Sequence, residues 1–175
     1  MVQDAVSDTV PHMASKRSAI AMTDAEVRAF LDAERTVICA TNGRDGWPHL
    51  MPLWFVVRDS GPDGAPEIWA WTFAKSQKTR NLERDARATL QVEAGDEYHL
   101  LRGVMLEADT VVHRDVETVL GVGLDVFRRY AGGAQGELAD EVTQMVTAQA
   151  AKRVAFQFTE RRRASWDHRK LGGVY

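Results

Sequence analysis

Between residues 35 and 112 the chain is a succession of β-rich runs joined by short turns, which sharply limits the folds open to it. RTVICATN and WPHLMPLWFVV flank GRDG, which reads as the turn of a hairpin. EIWAWTF follows the loop DSGPDGAP as a third strand, with Ile68, Ala70 and Thr72 alternating against Trp69, Trp71 and Phe73. RATLQVEA and YHLLRGVMLEADTVV then meet across GDE, and RVAFQFT (153–159) forms a last strand. Between the first and fifth of these runs the only helical stretch is the short KSQKTRNLERD. A doubly wound parallel sheet would need a helix between most strands. The pattern therefore predicts a mainly β chain, an antiparallel sheet closed into a small barrel and decorated by helices.

The remaining segments have helical spacing. In TDAE, Thr23 can cap a helix and Glu26 can reach back to complete a capping box. That helix runs to about Glu34 and presents Val27, Phe30 and Leu31 on one side. Asp115 to Tyr130 places Val116, Leu120, Leu124 and Phe127 on one stripe, and Gly132, Gly133 and Gly136 interrupt it. A further helix, from about Glu137 to Ala150, carries Leu138, Val142, Met145 and Val146 on one face. Residues 1–21 lack a sustained period and read as a flexible N-terminal arm. Residues 22–175 read as one domain with a helical insertion at about 114–151, a size suited to a single core. The lone Cys39 lies in the apolar run TVICA and is read as buried packing, not part of a disulfide framework. No apolar run approaches the roughly 18 residues of a membrane span, and no signal-peptide stretch opens the chain. A soluble, cytoplasmic protein with no membrane partner is expected.

Charge is distributed unevenly. The net charge of −3 argues against a nucleic-acid partner. Yet residues 75–87 hold Lys75, Lys78, Arg80, Arg84 and Arg87 against Glu83 and Asp85, and residues 152–170 hold Lys152, Arg153, Arg161, Arg162, Arg163, Arg169 and Lys170 against Glu160 and Asp167. The first island sits where a strand gives way to a helix, in WTFAKSQKTRNL. Lysines in a first helical turn oppose the helix dipole, and a bound anion would offset them. Backbone N–H groups, the Ser76 hydroxyl and the Lys75 and Lys78 ammoniums form a candidate phosphate cradle, against the plainer reading of a solvated helix face. Trp54, Trp69, Trp71 and Trp166 supply flat apolar area that could line a ring-binding slot, though core packing accounts for at least half of them. The histidines show no spacing that would mark a metal site, and neither a P-loop nor a G-x-S-x-G element is present. No catalytic residue stands out; Tyr98, Tyr130 and Tyr175 are the candidate proton donors.

The series TVICATNGRDGWPHLMPLWFVV, KSQKTRNLERDARATLQVE and YHLLRGVMLEADTVV resembles the pyridoxamine 5′-phosphate oxidase-like superfamily, the split β-barrel, FMN-binding-type proteins. Within it, KTRNLERDARATLQVEAGD and the closing SWDHRKLGGVY are similar to the flavin/deazaflavin oxidoreductases of type B, which commonly use coenzyme F420. The resemblance implies that Lys75, Ser76, Lys78 and Asn81 line the cofactor phosphate and its neighbours. It implies that the backbone of Met51, Pro52, Leu53 and Trp54 runs beside the ring system, with Trp71, Thr72 and Phe73 on the facing strand. Trp166 and Lys170 join this set from the closing segment. Where the flavin-phosphate oxidases tend to have Ser-Arg-Lys, this chain has Ser76-Gln77-Lys78.

The function so implied is an F420-dependent oxidoreductase passing hydride between a deazaflavin and a small organic acceptor. It would act as a homodimer with cofactor at the interface. Arg161, Arg162, Arg163, Arg169 and Lys170 would meet the anionic F420 tail, from the second subunit if need be. The alternatives are an FMN-dependent oxidoreductase of the same fold and a non-catalytic flavin-, F420- or haem-binding protein.

Overall fold

A computed structural model describes residues 16–131 and 137–172. Most of the arm expected at 1–21, the glycines at 132–136 and Tyr175 lie outside the described residues. After a single turn, α1 (Lys16–Ala19), comes α2 (Asp24–Ala33), and the expected capping box is present at its start. The Thr23 hydroxyl accepts from the Glu26 amide (3.3 Å), and the Glu26 carboxylate accepts from the Thr23 amide (2.7 Å).

Six antiparallel strands close into a barrel: β1 (Thr36–Asn42), β2 (Pro48–Asp59), β3 (Pro66–Phe73), β4 (Arg87–Ala94), β5 (Arg102–His113) and β6 (Arg153–Asp167). Their order around the barrel is β1-β2-β3-β6-β5-β4, closed by pairing of β1 with β4. Strand alternation sorts the side chains into two cores. Val37, Cys39, Leu53, Phe55, Leu90, Val104 and Phe156 fill the lumen with α2 residues Phe30 and Leu31. Val56, Trp69, Trp71 and Ala155 point outward and are covered by α4 (Val116–Ala131) and α5 (Asp140–Ala150). Gly123 lets α4 approach the sheet, because a Cβ there would lie 2.7 Å from the Trp71 ring.

Four boundaries or faces depart from the sequence expectation. β6 runs on to Asp167, well past Thr159. The register shifts between Glu107 and Ala108, leaving Arg161 as an extra residue that reverses the inside–outside phase, so the alternation breaks where the strand continues. Residues Tyr98–Leu100 form a 3₁₀ turn and not the start of β5, because Gly95, at φ 105°, brings the Leu100 carbonyl against its backbone. The buried face of α4 is Val119, Val122, Gly123 and Val126, with Leu120, Leu124 and Phe127 flanking it and Val116 exposed; the smaller residues face the sheet. Finally, α5 starts at Asp140 and buries Val146 and Ala150, leaving Met145 exposed.

Candidate functional site

The β2–β3 ladder runs from Asp59↔Pro66 to Phe55↔Ala70 and stops there. Before Phe55, β2 pairs with β1 alone; after Ala70, β3 pairs with β6 alone. The sheet therefore splits between residues 51–54 and 71–73, the two stretches the resemblance places on either side of a ring. At the end of the split, β3 turns through Ala74 into α3 (Gln77–Arg84). Ser76 caps this helix: its hydroxyl accepts from the Thr79 amide (3.4 Å) and is paired with the Thr79 hydroxyl (2.9 Å).

Lys78, in the first turn of α3, is 8% exposed, and no hydrogen bond or ion pair engages its ammonium among the described residues. Burial pushes its pKa down. The neighbouring Cys39 does not supply a counter-charge, since burial raises that thiol to about 12 and keeps it protonated at neutral pH. The other neighbour adds to the deficit. Arg153, brought opposite Phe73 by the β3–β6 register, lowers the Lys78 pKa further. Its guanidinium lies 4.2 Å from the Trp71 ring centroid and 4.3 Å from that of Phe73. It donates to Gln149 (2.7 Å), but its Nε–H is buried without a partner, and burial lowers its pKa.

Lys152 lies alongside, its carbonyl accepting from the Ala74 amide (3.0 Å), and Lys75 is exposed just before the helix. Among the described residues, none of Lys75, Lys78, Lys152 and Arg153 has a carboxylate partner. The first two residues of the second basic island thus join the first island in space. A buried cation without an anion is costly. Buried Lys78 and half-buried Arg153 beside a helix N-terminus form a site that an anion would complete, and orphaned donors of this kind fit a phosphate.

The rest of the second island is neutralised within the chain. Arg161 pairs with Asp109, Arg162 with Glu107, Arg163 with Asp24 and Glu160, and Arg169 with Asp167. Lys170 bonds Glu26 (2.7 Å) and the Ala21 carbonyl (2.7 Å), tying the closing segment to the start of α2. These groups are spent on structure, which removes the free clamp expected of them within one chain. Trp166 lies over Gly103, where a Cβ would come within 2.2 Å of its ring, at the far end of β6 from Arg153.

The other predicted residues divide by side-chain direction. Met51, Pro52 and Trp54 are exposed on β2, with Trp54 stacked on Tyr130 (4.5 Å). Leu53 points into the lumen, so that only its backbone can border the split. Trp71 packs edge-on to Phe127 beneath α4, and Thr72 is buried on the opposite face. Asn81 is fully buried: its amide donates to the Thr41 hydroxyl (3.0 Å) and its carbonyl accepts from Gln77 (2.9 Å). It anchors α3 to β1 instead of opening onto a ligand. Of the tyrosines, Tyr130 directs its O–H at the Arg35 and Phe55 carbonyls, so the hydroxyl is engaged within the chain. The signal for Arg153 was a basic residue opening a strand; only the register shows what it faces.

The chain matches the pyridoxamine 5′-phosphate oxidase family model over residues 23–163. Among solved structures, a conserved hypothetical protein of Mycobacterium tuberculosis is 41% identical, covering 93% of this chain and 95% of its own at a TM-score of 0.79. An F420 reductase (20% identical, 78% and 94% covered, TM-score 0.56) shares the fold. So does HutZ, the haem storage protein of Vibrio cholerae (16% identical, 82% and 93% covered, TM-score 0.61). No curated protein matches the sequence.

Proposed function

The chain belongs to the pyridoxamine 5′-phosphate oxidase family, and from that premise we propose that it is an F420-dependent oxidoreductase of the cytoplasm acting on a small organic acceptor. One observation carries the reading: Lys75, Lys78, Lys152 and Arg153 gather where β2 and β3 part, with no carboxylate partner among the described residues. That is more positive charge than a single phosphate needs, and it suits a cofactor bearing a phosphate and a longer anionic tail. The resemblance of residues 78–96 to the F420-using group points the same way. FMN is the second reading, favoured by the internal pairing of Arg161 to Lys170, which leaves no basic track leading away from the pocket.

In this account Lys78 and Arg153 hold the phosphate, helped by the first amides of α3, and Lys75 and Lys152 attract the tail. The backbone of residues 51–54 orients the ring against the backbone of Trp71 and Thr72, whose own side chains are buried. The deazaflavin, once bound, supplies hydride chemistry. The chain's own work is binding, orientation and exclusion of water. Exposed Leu50 (56%), Trp54 (52%) and Phe73 (56%) form an apolar rim around the split. A second copy covering this rim would make a homodimer with the cofactor at its interface.

Fluorescence titration of the purified protein with F420, and in parallel with FMN, tests the reading. Saturable binding of F420 at least tenfold tighter than FMN is expected. The opposite order replaces F420 by FMN, and binding of either without turnover of any acceptor makes the protein a carrier.

A further inference from the structure

A cleft of about 460 Å³ opens at the other end of β3 from Phe73, and nothing in the cofactor account uses it. It is a mouth of the barrel lumen, bordered by α2. Val57, Ile68, Leu106 and Phe158 face inward from four strands to form its floor, and Val27 and Leu31 of α2 form one wall. The β2–β3 loop forms another through Gly61, Pro62, Ala65 and Pro66, its ends joined where the Gly61 amide donates to the Ala65 carbonyl (3.0 Å). Val57 is only partly buried, whereas Phe55, two residues earlier on the same face of β2, is fully buried. Packing that is complete deeper in the lumen stops short at this mouth. The volume lies within the range of small-molecule sites.

The charges around this mouth are paired with one another. Asp24, Arg28, Glu160 and Arg163 line the rim. Arg163 pairs with Asp24 (2.5 Å) and Glu160 (3.4 Å), and Arg28 with Asp32 (2.9 Å) and Asp59. Glu67 also borders the cleft, but its carboxylate lies on the outer face of the sheet, where it accepts from Ser60 (2.7 Å), Gln157 (2.8 Å) and Thr159 (2.5 Å). Hydrogen-bonding groups are used up as well. The buried side-chain polar atoms without a partner among the described residues belong to His49, Thr110 and Arg153, and none of these lines the cleft. A charged ligand would lose hydration here and meet no free counter-charge. An apolar one gives up no hydrogen bonds and takes apolar surface out of water.

We infer that this cleft is a second ligand site, for an uncharged, largely hydrocarbon molecule of naphthalene size. Its rings fill the gap between α2, the β2–β3 loop and the lumen floor, which apolar lining keeps poorly hydrated. The two ends of β3 then select by opposite criteria: an anion beside Lys78 at one, and a neutral apolar body at the other. The inference holds whichever cofactor the split carries.

The chain has three isoleucines, Ile20, Ile38 and Ile68, so isoleucine methyl labelling puts one reporter in the floor and two elsewhere. Ile38 alternates with the lumen residues Val37 and Cys39 and so points outward, and Ile20 precedes α2, its carbonyl accepting from the Asp167 amide (2.7 Å). The Ile68 signal is assigned by its loss in Ile68→Val. Titration with 1-naphthalenemethanol should shift that signal saturably and leave the Ile38 signal in place. The cation 1-naphthylmethylamine and the anion 1-naphthoate should each bind there more weakly, by about tenfold. Val57→Phe, which fills the cleft from its floor, should abolish the shift. Lys78→Ala should bind the alcohol as wild type does, which separates this site from the cofactor reading. No saturable shift of Ile68 in the wild-type protein, either charged compound binding as tightly as the alcohol, or unaltered binding in Val57→Phe would overturn it.

Discussion

Lys78→Ala is expected to weaken cofactor binding by roughly 10- to 150-fold, the equivalent of one charge-assisted hydrogen bond of about 1.5–3 kcal/mol. The fold should survive. The ammonium is buried without a partner, so its removal relieves a desolvation cost and breaks no hydrogen bond, and the thermal midpoint should not fall. The combination separates this residue from a structural one: affinity drops while stability holds. Equilibrium titration by fluorescence quenching measures the first and thermal unfolding the second. The same affinity in wild type and variant would remove Lys78 from the site.

Phe156→Ala should do the reverse. Phe156 is fully buried in the lumen, packed edge-on to Phe158 at 5.8 Å between ring centroids. Truncating such a side chain costs about 3–5 kcal/mol through lost transfer energy and the cavity left behind. For a domain of this size that is a drop of order 10 °C in the thermal midpoint. The lumen is a packed core in this account and the cofactor lies at the split outside it. Cofactor affinity of the folded fraction should therefore stay within about threefold of wild type, a small fraction of the Lys78 effect. A variant that unfolds readily and also loses all cofactor binding while folded would place the ligand inside the barrel.

What could be read from the sequence was whatever is fixed over a few residues. Hairpins about GRDG and GDE, the Thr23 capping box and the Ser76 cap all rest on local geometry, and the barrel follows from them. The unusual placement of lysine in a first helical turn was also visible, and it led to Lys78. Features set by register were not. Arg153 meets Lys78 although 75 positions away, because β6 pairs with β3 in one register and no other. The run from Arg161 to Lys170 looked like free charge, yet its partners Asp109, Glu107, Asp24 and Glu26 come from β5 and α2, distant in sequence. The bulge at Arg161 hid half of β6 by reversing the alternation that identifies a strand. On α4 the helical period was clear, but several stripes were apolar and only packing chose the valines.

The central claim is that Lys78 is a buried cation waiting for the cofactor's anion, and its own titration tests that most directly. With the folded pKa depressed, the unfolded chain holds more protons between that value and the ordinary 10.5. Stability therefore rises with pH through this window, and a bound anion should cancel the effect by restoring the charge. The 15Nζ resonance of Lys78, followed against pH, should have its midpoint below 10.5 in the free protein and move upward when F420 saturates the site. A midpoint that F420 leaves unchanged would contradict the account.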